Sequence, residues 1–263
     1  MRRSLTSFII SLCIISLCCI PAFATGNSFS WYCVRNKQHL QPVADANMRF
    51  IEDHGGFYVD KEHSDNDSDK VIYLTFDAGY ENGNVAKILD VLKEKKVCAA
   101  FFVLDNIILK NSDLIFRMID EGHLVCNHTS KHLDVTKCKT VDEFKAELEA
   151  LEKVYEDTTG MKMPKSFRPP EGKFSKQSME FAEALGYKTI FWSFAYADWD
   201  NNSQPSHEAA KEKILSNLHN GEIMLLHPTS ATNAAILGDI IDELRAQGYR
   251  FGSLDELTNA KNS

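Results

Sequence analysis

Val71-Ile72-Tyr73-Leu74-Thr75-Phe76-Asp77-Ala78-Gly79-Tyr80-Glu81-Asn82-Gly83 is the stretch from which the rest of the chain can be read. Its first six residues are apolar or β-branched and suit a strand. Over residues 84–96, apolar side chains recur at Val85, Ile88, Leu89, Val91 and Leu92, which is helical spacing. Asp77 therefore falls at the C-terminal end of a strand, before a glycine-containing turn and a helix. In folds that alternate strands and helices, reacting groups gather at that end. A carboxylate there is a candidate general base. The plainer alternative is an Asp that steadies the turn or caps the helix.

The alternation continues downstream. Strands are predicted over 97–104, 123–126, 188–194, 222–226 and 249–251, and helices over 112–121, 141–158, 175–185, 206–218 and 234–247. The helix at 141–158 has Thr140 as N-cap, Glu143 three residues later and Gly160 behind it. Upstream, residues 28–63 show weak periodicity, with Trp31-Tyr32 and a Gly55-Gly56 break before Phe57-Tyr58-Val59. About seven strand signals alternating with helices predict a single α/β domain with a parallel sheet, open or closed into a barrel.

Met1-Arg2-Arg3, an apolar run over 8–20 and Ala22-Phe23-Ala24 form the three regions of a secretory signal peptide over 1–24; a retained anchor is the alternative. Cys18 and Cys19 follow Leu17 and Cys18, not the small residue that a lipoprotein signal requires. Without Arg2 and Arg3 the formal charge moves from −8 to −10, which disfavours nucleic acid as a partner. Cys33, Cys98, Cys126 and Cys138 then remain, too few for a disulfide scaffold in a chain of this length. Cys98 and Cys126 read as core residues; a bridge through Cys33 or Cys138 is compatible with export.

Four further stretches carry chemistry. His128-Thr129-Ser130-Lys131-His132 follows a predicted strand, and histidines four apart share one face of a helical turn, near enough for one metal ion. Two surface or capping histidines are the alternative. Phe167-Arg168-Pro169-Pro170-Glu171-Gly172 is a rigid turn able to hold Arg168 against a carboxylate and to aim a backbone N–H at a substrate. Trp192-Ser193-Phe194-Ala195-Tyr196-Ala197-Asp198-Trp199 closes a strand with aromatics suited to sugar faces, Trp192 and Phe194 reading as core. Ile223-Met224-Leu225-Leu226-His227-Pro228 places a histidine at the end of a buried strand. Asp77, His128 with His132, Arg168, Asp198 and His227 thus follow five successive strands, and a barrel brings such ends to one face.

These motifs resemble those of the polysaccharide deacetylases of the NodB-homology type, carbohydrate esterase family 4, over nearly the whole chain beyond residue 24. The details Thr75-Phe76-Asp77-x-Gly79-Tyr80-Glu81-Asn82-Gly83, Phe167-Arg168-Pro169-Pro170, Phe191-Trp192-Ser193 and Leu225-Leu226-His227 are similar to those of the sporulation-type N-acetylmuramic acid de-N-acetylases. The resemblance implies a distorted, incomplete (β/α) barrel, with 25–70 an N-terminal extension packing on the barrel and 71–258 the deacetylase domain. It implies one divalent metal ion, zinc being expected, held by His128 and His132. Asp77 would be the base and His227 the acid, with Arg168 orienting Asp77 and Asp198 holding His227. The backbone at Glu171 would face the oxyanion, Trp199 and Leu226 would wall the acetyl pocket, and Lys173 is a candidate cation for a lactyl carboxylate.

One position departs from the pattern. The family has an Asp ligand where this chain has Ala78, which weakens the expected metal site. Cys126 is a candidate replacement, because residues two apart on a strand face the same way. The expected substrate is N-acetylmuramic acid in a peptidoglycan strand, on the way to the muramic δ-lactam of spore cortex. A muramoyl amidase partner, a monomer, and a place in the cell wall or forespore intermembrane space go with it. Alternatives are an N-acetylglucosamine deacetylase on peptidoglycan or chitin, and an inactive glycan-binding homologue.

Overall fold

The computed structural model describes residues 27–259, and the signal peptide expected at 1–24 lies outside the described residues. In chain order the strands are β1 (Ser28–Ser30), β2 (Cys33–Val34), β3 (Val43–Ala44), β4 (Gly56–Phe57), β5 (Lys70–Ala78), β6 (Ala100–Val103), β7 (Leu124–Asn127), β8 (Ser166–Phe167), β9 (Lys173–Ser175), β10 (Lys188–Ile190), β11 (Glu222–Leu226) and β12 (Tyr249–Phe251). The helices are α1 (Val85–Lys95), α2 (Asp105–Lys110), α3 (Ser112–Asp120), α4 (Val141–Thr159), α5 (Lys176–Ala184), α6 (His207–Leu215), α7 (Ala231–Ala246) and α8 (Leu254–Asn259).

Eight strands form one parallel sheet in the order β11-β5-β6-β7-β8-β10-β4, with β12 pairing the lower half of β5. The sheet curls into the expected incomplete barrel. Its free edges are drawn together by a parallel bridge between Phe194 and Met224 and an antiparallel one between Val59 and Glu222. Where the strands fail to meet fully, the N-terminal segment supplies donors. Trp31 Nε1 donates to the Trp192 carbonyl (2.8 Å), Cys33 Sγ to that of Ser193 (3.2 Å), and an Arg35 amine to that of Ala195 (3.2 Å). The same segment contributes β4 to the main sheet.

β5 shows why the sequence takes this form. Alternate residues serve two layers: Val71 and Tyr73 join the inner core, while Ile72, Leu74, Phe76 and Ala78 pack outward against helices. A strand buried on both faces has to be almost continuously apolar. Phe76 stacks on Phe101 with ring centroids 5.0 Å apart, and removing such a buried ring costs about 3–5 kcal/mol. α1 buries Ile88, Leu89 and Leu92 in the outer layer. α4 starts where Thr140 accepts from the Glu143 N–H and stops at Gly160 in the left-handed region (φ 71°). Among the described residues no helix is long and apolar enough to cross a membrane.

The periodicity misses α2, and it runs β10 to 194 where the strand stops at Ile190. All four described cysteines are free. Cys98, expected in the core, is exposed, because β6 begins two residues later.

Candidate active site

Asp77, His128, Arg168 and His227 stand at or just beyond the C-terminal ends of β5, β7, β8 and β11, and Asp198 lies in the loop that follows β10. Arg168 ties the strands together. Its side chain is fully buried, and such a charge is tolerable only when its donors are used. Nε donates to the Ile190 carbonyl (3.0 Å), Nη2 to Thr75 Oγ1 (2.9 Å) and the Phe191 carbonyl (3.3 Å), and Nη1 to Asp77 Oδ1 (2.8 Å). The guanidinium lies 4.1 Å from the centre of the Phe102 ring. Thr75, two residues before Asp77 on the same inner face, passes the connection on by donating to the Met224 carbonyl (2.8 Å).

Burial alone would raise the Asp77 carboxyl, but His128, Arg168 and His227 outweigh it and hold it below its ordinary value. The backbone of Arg168 sets the tautomer of His128. Its carbonyl can only accept, so His128 Nδ1 carries the proton it donates (2.9 Å), leaving Nε2 with a free lone pair 3.5 Å from Asp77 Oδ2. Burial takes His128 down to about 4, so this imidazole is neutral at neutral pH.

The segment after β7 is not the helical turn that the four-residue spacing predicts. Thr129 and His132 are both left-handed, with φ of 66° and 60°. The loop is held by Asn127 Oδ1, which accepts from the Thr129 N–H (2.8 Å), and by Thr129 Oγ1, which accepts from the Leu133 N–H (3.0 Å). It still brings the His128 and His132 rings together, edge to face with centroids 5.2 Å apart. Glu171 is left-handed as well (φ 56°). Strained backbone of this kind concentrates at functional sites. Gly172 beside it (φ 64°) could bear no side chain, since a Cβ would fall 2.8 Å from Trp192 and 2.9 Å from Trp31.

Across the mouth, Asp198 is fully buried and accepts from His227 twice, from Nδ1 at Oδ1 (2.7 Å) and from the backbone N–H at Oδ2 (2.8 Å). Burial would lower the His227 imidazole, but the hydrogen bond and charge of Asp198, joined by Asp77, raise it above its ordinary value. Asn233 Nδ2, in the first turn of α7, donates to Asp198 Oδ2 (2.6 Å) and to the His227 carbonyl (3.1 Å). Trp199 is 59% exposed, its ring edge-on to His227 with centroids 6.1 Å apart. Exposed Tyr80 takes a hydrogen bond from Asn201 Nδ2 (2.5 Å), so a second aromatic stands beside the mouth.

Three expectations from sequence are corrected. Leu226 is buried in the outer layer with Phe76, its register partner, and so cannot wall a pocket at the mouth. Cys126 is packed in the inner core, where burial pushes its thiol up to about 12; it keeps its proton. Lys173 is not a free cation, because its Nζ pairs with Glu171 Oε2 at 2.8 Å. Sequence reasoning also missed Thr75 and Asn233. Thr75 was open to inspection from strand alternation with Asp77, whereas no periodic signal marks Asn233.

Residues 64–190 match the family model described as "Polysaccharide deacetylase". The chain is 38% identical to the peptidoglycan-N-acetylmuramic acid deacetylase PdaA of Bacillus subtilis, over 92% of this chain and 94% of that protein. It is 35% identical to the peptidoglycan-N-acetylglucosamine deacetylase PgdA of Listeria monocytogenes, over 74% of this chain but 40% of the relative. The solved structure of B. subtilis PdaA, titled a family 4 carbohydrate esterase, superposes with a TM-score of 0.82 over 89% of this chain and 98% of that one, at 38% identity. The chain belongs to the polysaccharide deacetylases, carbohydrate esterase family 4, and is a hydrolase.

Enzymes of this family generally depend on a metal ion. The His128 tautomer suits ligation through Nε2, with the Arg168 carbonyl as the outer partner that such ligands require. Position 78 offers no donor atom, and among the described residues no three His, Cys, Asp or Glu side chains are gathered so as to hold an ion. The donor set fits an ion held by two imidazoles without the carboxylate the family places at 78.

Proposed function

We propose that this chain removes the N-acetyl group of N-acetylmuramic acid in peptidoglycan, releasing acetate and a free amino sugar. The single observation that carries the reaction is the opposition of two held charge states at one mouth. Asp77 is kept anionic beside Arg168, and His227 is kept protonatable by Asp198. Asp77 takes a proton from the water that attacks the acetamide carbon. His227, its Nδ1–H committed to Asp198, delivers the Nε2 proton to the leaving nitrogen as the C–N bond breaks. His128 and His132 would hold a divalent ion, zinc being expected for imidazole ligands, which when bound polarises the acetamide carbonyl. The backbone N–H at Glu171 is assigned to the developing oxyanion, and Trp199 to the face of a sugar ring.

The choice of N-acetylmuramic acid rests on the relative that matches along almost its whole length. With it go export to the cell wall or forespore intermembrane space, a muramoyl amidase that prepares the glycan, and a step toward muramic δ-lactam. Residues 27–70 are assigned to a strap that closes the barrel seam. A second reading, deacetylation of N-acetylglucosamine, is favoured by the pairing of Lys173 with Glu171, which leaves a lactyl carboxylate to compete for that cation. Acetate release from amidase-treated peptidoglycan and from chitin oligomers, each with and without added zinc, separates the two. Faster turnover of amidase-treated peptidoglycan is expected; faster turnover of chitin oligomers overturns the assignment.

A further inference from the structure

Asp198 has a third donor besides the two from His227, and it comes from a different element. Asn233 is almost fully buried, sits in the first turn of α7, and has every polar atom engaged. Its Oδ1 accepts from the Tyr196 hydroxyl, and its Nδ2 donates both to Asp198 Oδ2 (2.6 Å) and to the His227 carbonyl (3.1 Å). Only one orientation of the amide works. Turned over, Oδ1 would face a carboxylate and a carbonyl, neither of which can donate. The backbone beneath is fixed too, since Ser230 Oγ accepts from the Asn233 N–H (3.0 Å) and caps α7.

Fully buried carboxylates are stable as anions only when their oxygens are supplied with donors. Asp198 Oδ1 is committed to His227 Nδ1, so Oδ2 depends on the His227 N–H and on Asn233. We propose that Asn233 is a positioning residue for the reaction: by holding Asp198 Oδ2 it keeps that carboxylate aimed at His227 Nδ1, and so sets the tautomer and the orientation of His227. The proposal rests on the reading of His227 as the proton donor, but its test does not. The ionisable groups facing His227 are Asp198, Asp77 and Arg168. Changing Asn233 replaces none of these groups, so a change in the His227 titration reports how they are held.

Two variants separate this role from a merely structural one. Asn233→Ala removes the donor. Asn233→Asp keeps the shape but supplies a donor only while its new carboxyl is protonated, because two carboxylates in contact cannot both ionise cheaply. The first readout is the NMR titration of the His227 imidazole in the full chain. In Asn233→Ala the imidazole should titrate about one pH unit lower than in the wild type, as Asp198 loosens. In Asn233→Asp the His227 signals should match wild type at low pH and depart from it as the pH rises. The second readout is acetate release. For Asn233→Ala kcat should fall about tenfold or more with KM changed less than about twofold, and for Asn233→Asp the loss should grow with pH. A His227 titration unchanged in both variants overturns the inference, whatever happens to the rate. A shifted titration with an unchanged rate supports Asn233 as the holder of Asp198 and instead removes His227 from the role of proton donor.

Discussion

Strand β11 has a histidine and a carboxyl side chain at each end: His219 with Glu222 at the floor of the barrel, and His227 with Asp198 at its mouth. The residue types are alike, yet the surroundings differ. At the mouth, Asp198 takes three N–H donors, and His227 is raised. At the floor, Glu222 Oε2 has one long bond from the His219 N–H (3.3 Å), and buried Oε1 has no partner. Burial therefore pushes the Glu222 carboxyl well above its ordinary value, leaving it neutral. His219 is satisfied by neutral groups, donating from Nδ1 to the Asn217 carbonyl (3.0 Å) and accepting at Nε2 from Ser193 Oγ (2.9 Å). Burial lowers it to about 4. A histidine beside an acid thus becomes a proton donor or a packing element according to the donors around the acid.

The largest expected effect sets the two histidines against each other. His227→Ala should lower kcat for acetate release by about 10²–10⁴-fold. His219→Ala should do the reverse, keeping kcat within about threefold while destabilising the fold by about 2–4 kcal/mol. Acetate assays alongside thermal melts compare them. Equal rate losses at equal stability would erase the distinction between the two ends.

A smaller effect comes from pH. Burial lowers His123, His128 and His219 to about 4, so between that value and the ordinary imidazole value the unfolded chain binds the extra protons. Stability should therefore rise with pH across this window, by about 1.4 kcal/mol per pH unit for each group. Glu222 acts with the opposite sign. Its folded pKa is raised, so its contribution is present below the unfolded value of about 4.3 and is lost as pH rises above it. Glu222→Gln should consequently steepen the rise of metal-free stability above about pH 4.5. Urea unfolding in the presence of a chelator measures both slopes, and parallel slopes for the two proteins would mean that Glu222 is ionised in the fold.

The mouth was easier to read from sequence than the floor. Asp77 and His227 each end an apolar run, and strand-end placement needs only periodicity; Arg168 is marked instead by the proline turn that follows it. The meeting of His128 with His132 was anticipated for the wrong reason, because helical spacing stood in for two left-handed residues fixed by Asn127 and Thr129. Leu226 was assigned to the site although alternation with His227 turns it outward beside Phe76. Asn233 and Tyr196 escaped because their partnership spans 37 residues and joins a helix to a loop, a relation with no period. The Ser193–His219–Glu222 group escaped for the same reason.

The central claim is that the mouth holds a carboxylate and an imidazole in opposite protonation states, and the pH dependence of kcat/KM on amidase-treated peptidoglycan tests it most directly. Asp77 is held below its ordinary value of about 3.9 and His227 above about 6.5. The profile should be flat through the weakly acidic range where the protein stays folded, and should fall on the alkaline side with a midpoint above about 6.5. Asp77→Asn should give no measurable acetate at any pH. A rate that climbs through pH 5–8 without an alkaline fall, or an Asp77→Asn protein that turns over near the wild-type rate, would contradict the account.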